Sequence, residues 1–280
     1  MENPQDPFTD APNALEDDTQ CHGRRTETRP KNDFVAVGIG IIRKNLHNSE
    51  KSSTFAALKV DTNIMEIDNR MEDLELLVAK KLLQLKTFCL QVNSPFIWAN
   101  NRKSPIYFDD RKIFSYTYMR NFIKLELSRT VAELYPDADV IAGVAVNAIA
   151  HGVLVAEQLA LPYVYVHPTP KDHGLENQIE GDLRPRQKVV IIENQVYAGD
   201  NVKKVIEALR NNGCTVEGVV TIFDYQMASA KRVFHETDVA LTALTNFSAV
   251  VKQAEADRTF SESDLQILQE WHKNPAKWGK

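Results

Sequence analysis

Cysteine is scarce in this chain: Cys21, Cys89 and Cys214 form an odd, widely spaced set among 280 residues. Such a set argues against a disulfide framework and a cysteine-based metal site, and it fits a reducing compartment. Excess positive charge is missing too. Lys and Arg number 33 against 38 Asp and Glu, a net charge of −5, so no broad basic field invites nucleic acid. Long apolar runs are also absent. Phe34 to Ile42 (FVAVGIGII) has nine residues, under half of the roughly 20 that a membrane helix needs, so no transmembrane segment is expected. The polar, acidic start lacks the apolar core of a secretion signal and is unlike a transit peptide, which points to an intracellular place, cytoplasm or organelle matrix. No histidine pair has helical metal-ligand spacing with acids nearby, so no metal site of the protein's own is expected. No internal repeat or heptad array occurs.

What is present is 43% apolar and 25% charged, enough for one or two globular domains with an ample core. Residues 1–33 are polar, with acids alone in the first twenty positions and a basic cluster at Arg24, Arg25, Arg29 and Lys31. They read as a disordered or partner-bound tail. Residues 34–70 form an extension. Its apolar cluster either packs on the main domain or docks on another subunit. Residues 71–280 carry a continuous α/β pattern.

The pattern centres on Lys188 to Asn201 (KVVIIENQVYAGDN). Val189 to Ile192 is an all-apolar run suited to a strand covered on both faces. After a turn, Val202, Val205, Ile206 and Leu209 give a helix one apolar stripe, ended by Asn212-Gly213. Ligands of parallel α/β sheets sit at such strand ends, and the amides of a helix start suit a phosphate. This stretch resembles the phosphoribosyl-diphosphate loop of type I phosphoribosyltransferases, and the surrounding sequence is similar to the orotate phosphoribosyltransferase family in particular. The resemblance implies a parallel-sheet α/β fold with a small N-terminal hood, here preceded by the extension. It further implies a homodimer or a place in a larger assembly, and Mg²⁺ arriving with phosphoribosyl diphosphate if the chain is active.

Family patterns are carried over residue by residue. Lys103-Ser104-Pro105, followed by Asp110-Arg111, resembles the hood segment that covers orotate. Lys171 and His173 match the mobile catalytic loop, whose arginine and first lysine positions hold His167 and Pro168; His173 also reads as an ordinary solvated histidine. The diphosphate loop carries Val146-Asn147-Ala148 in place of residues that include a hydroxyl and a glycine, and losing glycine restricts the backbone. The acid pair that holds the ribose hydroxyls is Glu193-Asn194, and the phosphate loop is Tyr197-Ala198-Gly199-Asp200-Asn201. Asn194 keeps hydrogen bonding but loses a charge, Tyr197 fills a small-residue position and Ala198 lacks a hydroxyl. Asp200 sets a carboxylate where a phosphate docks. One like-charge pair about 5 Å apart at an effective dielectric of about 20 repels by roughly 3 kcal/mol, and a dianion feels about twice that.

Further strands are expected at 139–144, 163–166, 216–223 and 239–244, and helices at 149–160, 228–236 and 246–256. Ser261 with Asp264 marks one more helix start. With three phosphate-handling elements altered and the core intact, the sequence favours a catalytically degenerate homologue acting as a structural or interaction subunit with no cofactor. The alternative is a working enzyme that makes orotidine monophosphate and diphosphate from orotate and phosphoribosyl diphosphate with Mg²⁺.

Overall fold

The computed structural model describes residues 70–97, 103–170 and 177–278, all within one unit, Val60–Lys280. The tail at 1–33 and the extension at 34–70, Arg70 apart, lie outside the described residues.

A helix over residues 70–84 (α1) leads into β1 (Phe88–Leu90), β2 (Phe96–Ile97), β3 (Lys103–Ser104) and β4 (Ile106–Phe108). β1 pairs antiparallel with β4, and β2 with β3, which makes the small hood. The rest is α2 (Arg111–Phe114), α3 (Thr117–Leu134), β5 (Val140–Val144), α4 (Ile149–Leu159), β6 (Tyr163–Val166), β7 (Ile179–Glu180), β8 (Lys188–Val196), α5 (Asp200–Asn211), β9 (Thr215–Asp224), α6 (Ala228–Thr237), β10 (Leu241–Asn246), α7 (Phe247–Ala256) and α8 (Glu262–Lys273). The sheet order is β10-β9-β8-β5-β6-β7, parallel throughout except for β7 at the edge. This is the α/β architecture with a mostly parallel sheet that the sequence leads one to expect.

Period-two alternation divides the core into two layers. Val190 and Ile192 of β8 pack with residues of α1, α3, α7 and α8, while Val189 and Ile191 pack with α5 and α6. Each of these side chains, fully buried, contributes about 1.5–3 kcal/mol. The expected stripe of α5 is realised, with Val202, Val205, Ile206 and Leu209 all buried. Gly213, at φ 84°, takes the left-handed turn that closes α5, a conformation glycine adopts without steric cost. At the C-terminus Ser261 and Asp264 form the capping box. Trp271 of α8 is fully buried, and its Nε1–H donates to the carbonyl of Lys103 at 3.3 Å, tying the hood to the last helix.

Two strands differ from the sequence expectation by more than one residue. β8 runs past Ile192 to Val196, because Gln195 and Val196 stay in register with Phe223 and Asp224 of β9. The edge strand is shifted to Leu241–Asn246, where Asn246 also caps α7 by accepting from the Ala249 N–H at 2.9 Å.

Candidate functional site

From β5 the chain crosses to β6 on one side, and from β8 to β9 on the other, so β5 and β8 flank the point where strand order reverses. Ligands of open α/β sheets bind at such a point, outside the carboxyl ends of the strands. A cavity of about 270 Å³ opens there, and the residues lining it include Asn147, Glu193, Asn194, Gln195 and the whole run Tyr197 to Asn201. The structure thus brings together the acid-pair position, the phosphate loop and one residue of the diphosphate loop. Val146 and Ala148 do not line it, nor do Lys103, Ser104 and Pro105. Val146 is 74% exposed, whereas Ala148 is buried. Lys171 and His173 lie outside the described residues.

Three of these side chains have surroundings that the sequence did not give. The ring of Tyr197 turns to the core, stacked on Trp271 (centroids 6.4 Å apart) and edge-on to Tyr225 (5.3 Å), because an aromatic cluster of high apolar area is within reach there. Asp200 is the first residue of α5 and is exposed. Ser104 is fully buried and donates to the Ile106 carbonyl at 2.6 Å, so its hydroxyl stabilises the β3–β4 corner.

The backbone of the phosphate loop is open. Gly199 precedes α5 at φ 86°, and the first helical hydrogen bond is from the Lys203 N–H to the Gly199 carbonyl at 2.9 Å. Among the described residues, no backbone or side-chain acceptor takes the N–H groups of Ala198 to Val202. Helix starts leave such donors unmet, and an anion satisfies them. In the diphosphate loop the N–H groups of Ala148 and Ile149 are bonded to the carbonyls of Val144 and Val146, while those of Val146 and Asn147 make no backbone bond among the described residues.

The electrostatics beneath the cavity are set by burial. Glu193 is 6% exposed, and loss of solvation pushes its carboxyl up to about 8 despite the Asn194 N–H donating to it at 2.9 Å; the charge of Asp110 pushes the same way. Glu193 is therefore mostly neutral at pH 7. Asn194, also buried, donates from Nδ2 to Asp110 Oδ1 at 2.9 Å, and Asp110 Oδ2 lies 3.3 Å from Nε2 of His151. Sequence reasoning gave Asp110 no role beyond a matching position and gave His151 none. The signal available was their place at the end of a strand and at the start of a helix. His167, at the family's arginine position, has a buried Nε2 without a hydrogen-bond partner among the described residues. Those residues contain no group of three or more His, Cys, Asp or Glu able to hold a metal, and no helix long and apolar enough to cross a membrane.

A mostly parallel sheet with a cavity at its switch point, unmet N–H groups at one strand-helix junction and a small antiparallel hood before it define a phosphoribosyltransferase-like α/β protein. Solved structures agree on the fold. Leishmania donovani UMP synthase superposes with TM-score 0.59 at 21% identity, over 70% of this chain and 42% of that one. Orotate phosphoribosyltransferase from Aeropyrum pernix superposes with 0.56 at 23% identity, over 64% and 98%. No family model matches the chain. Relatives in sequence are nearer: 50% identity over 208 residues to an orotate phosphoribosyltransferase of Phocaeicola vulgatus, covering 74% of this chain and 98% of that protein. One from Porphyromonas gingivalis is 45% identical over 209 residues, 75% and 100%. The chain belongs to the orotate phosphoribosyltransferase family.

Proposed function

We propose that this chain catalyses orotate phosphoribosyl transfer, with a weakened hold on the 5-phosphate of phosphoribosyl diphosphate. The observation that carries this reading is the cradle of N–H groups from Ala198 to Val202 facing a cavity at the strand switch point. Main-chain donors do not depend on side-chain identity, so Ala198 in place of a hydroxyl removes one donor and leaves these. The near-half identity to relatives named orotate phosphoribosyltransferase over almost their whole length supports the same reading.

In this reading the 5-phosphate rests on the start of α5, the ribose hydroxyls on Glu193 and Asn194, and the diphosphate near Val146 and Asn147. Orotate lies under the hood by Lys103, and Lys171 and His173 act as catalytic residues toward the diphosphate. The ring nitrogen of orotate bonds to the anomeric carbon as the bond to diphosphate breaks, and the proton of that nitrogen passes to the departing diphosphate. Glu193, neutral and buried, with Asn194 and Asp200 makes a poor metal cage, so Mg²⁺ comes as the ligand's own diphosphate complex. Residues 71–280 form the transferase domain, 1–33 a tail and 34–70 a docking segment for the twin subunit or another protein, within an intracellular homodimer.

A second reading keeps the fold as a structural or interaction subunit without turnover. It is favoured by one observation: neither Asn194 nor the neutral Glu193 sets a charge beside developing positive charge on the ribose. Release of diphosphate from phosphoribosyl diphosphate and Mg²⁺ separates the two. Saturable, orotate-dependent release supports turnover, and its absence from folded protein at millimolar ligand supports the structural subunit.

A further inference from the structure

Three elements meet behind the cavity wall. Asn194 comes from β8, Asp110 from the turn between β4 and α2, and His151 from the first turn of α4. All three are buried, at 2%, 4% and 2% exposure. His151 is further fixed by Phe114, whose ring lies 4.4 Å away, centroid to centroid. A carboxylate only accepts hydrogen bonds. Asp110 therefore requires the NH₂ of Asn194 on its side, at 2.9 Å, and an N–H from Nε2 of His151, at 3.3 Å. With its NH₂ committed, the carboxamide of Asn194 has its oxygen on the opposite side, and Asn194 lines the cavity.

We propose that Asp110 is a positioning residue, held by His151, which fixes Asn194 with its oxygen toward the ribose hydroxyls and supplies from one side chain back the negative charge that position 194 lacks. This rests on the reading that the cavity takes phosphoribosyl diphosphate. The arrangement has a consequence opposite to simple repair. Asn194→Asp sets a second carboxylate against Asp110, with Glu193 adjoining, and like charges that close cannot both ionise. The titratable groups around Asp110 are His151, Glu193, Tyr225, Tyr107 and Arg111. Of these, Arg111 is paired with Asp109, and His151 lies against Oδ2 of Asp110, on the far carboxylate oxygen from Asn194. Exchanging the two residues, Asp110→Asn with Asn194→Asp, restores one carboxylate and one carboxamide.

The test is a double-substitution cycle read in two ways. Thermal melting without ligand, from pH 5.5 to 8, reads the pair itself. Asn194→Asp alone lowers the midpoint relative to wild type by roughly 5 °C more at pH 8 than at pH 5.5, and adding Asp110→Asn removes most of that difference. Additive shifts, or a midpoint with wild-type pH dependence in Asn194→Asp, overturn the proposal. Kinetics with phosphoribosyl diphosphate, Mg²⁺ and orotate read its use. Asp110→Asn lowers kcat about tenfold with little change in KM, Asn194→Asp lowers kcat/KM at least as much, and the exchanged pair returns to within a few-fold of wild type. A kcat raised by Asn194→Asp alone overturns the proposal. Wild-type protein without turnover but with a coupled melting cycle overturns the transferase reading and leaves the 110–194 pairing standing.

Discussion

Asp200 is the residue at which the altered phosphate loop is most directly weighed. It is exposed at the first position of α5, so water screens it and an effective dielectric above about 20 applies. A unit charge about 5 Å from another in surroundings of dielectric about 40–80 repels by roughly 0.8–1.7 kcal/mol, and a phosphate dianion feels about twice that. Asp200→Asn should therefore lower KM for phosphoribosyl diphosphate roughly 15- to 300-fold. kcat should hardly change, because the 5-phosphate is remote from the reacting carbon and its contacts act equally in ground and transition states. The same substitution has a cost. An acid in the first turn favours the helix dipole by about 0.3–1 kcal/mol, so the melting midpoint should fall by roughly 1–4 °C. Steady-state kinetics in 0.05 M and 1 M salt provide the assay, since screening contracts the Debye length to about 3 Å at 1 M and should erase most of the gain. An unchanged KM, or a gain that persists in 1 M salt, would refute the electrostatic reasoning.

Further outcomes follow from neighbouring groups. Gly199→Ala places a Cβ at φ 86°, 3.2 Å from Cβ of Val233, and should destabilise the protein by about 1–2 kcal/mol while weakening ligand binding, checked by melting and by titration with phosphoribosyl diphosphate. For Glu193 the folded carboxyl is raised from 4.5 to about 8, so the folded state holds a proton that the unfolded state releases in this window. Stability is full below pH 4.5 and is lost as pH rises through 8, with a slope approaching 1.4 kcal/mol per pH unit, about the limit for one proton. Glu193→Gln should flatten that slope in denaturant titrations at pH 5, 6.5 and 8. Trp271→Ala removes a fully buried ring and should cost about 3–5 kcal/mol, loosening Tyr197 and the hood together, read as lost protection from hydrogen exchange at both. Removing residues 1–59 should leave the melting midpoint of the remaining unit unchanged while abolishing association, if the N-terminal region docks on a partner.

The sheet was legible in the sequence because its strands are short all-apolar runs between helices of clear period, and α5 shows its buried stripe residue by residue. Of the stretches that carry the resemblance, Lys188 to Asn201 holds most of the residues that line the cavity, while the hood segment holds none of them. Side-chain direction was not legible. Tyr197 reads as an obstruction in one dimension, yet its ring has turned to Trp271, a partner more than seventy positions away in the chain. Asp200 reads as a carboxylate at the phosphate-docking position, and its exposure at a helix start raises the effective dielectric and so halves or quarters its expected penalty. The pairing of Asn194 with Asp110 and His151 joins three distant segments, and no local pattern announces it. The substitutions were plain in the sequence, but their cost depends on burial and on these long-range partners.

The central claim is turnover. Diphosphate release should be measured for the full chain with phosphoribosyl diphosphate raised to several millimolar, excess Mg²⁺, and orotate present or absent. The account predicts saturable release that requires orotate, with a KM for phosphoribosyl diphosphate that falls in Asp200→Asn. No orotate-dependent release from folded wild-type and Asp200→Asn protein would contradict it.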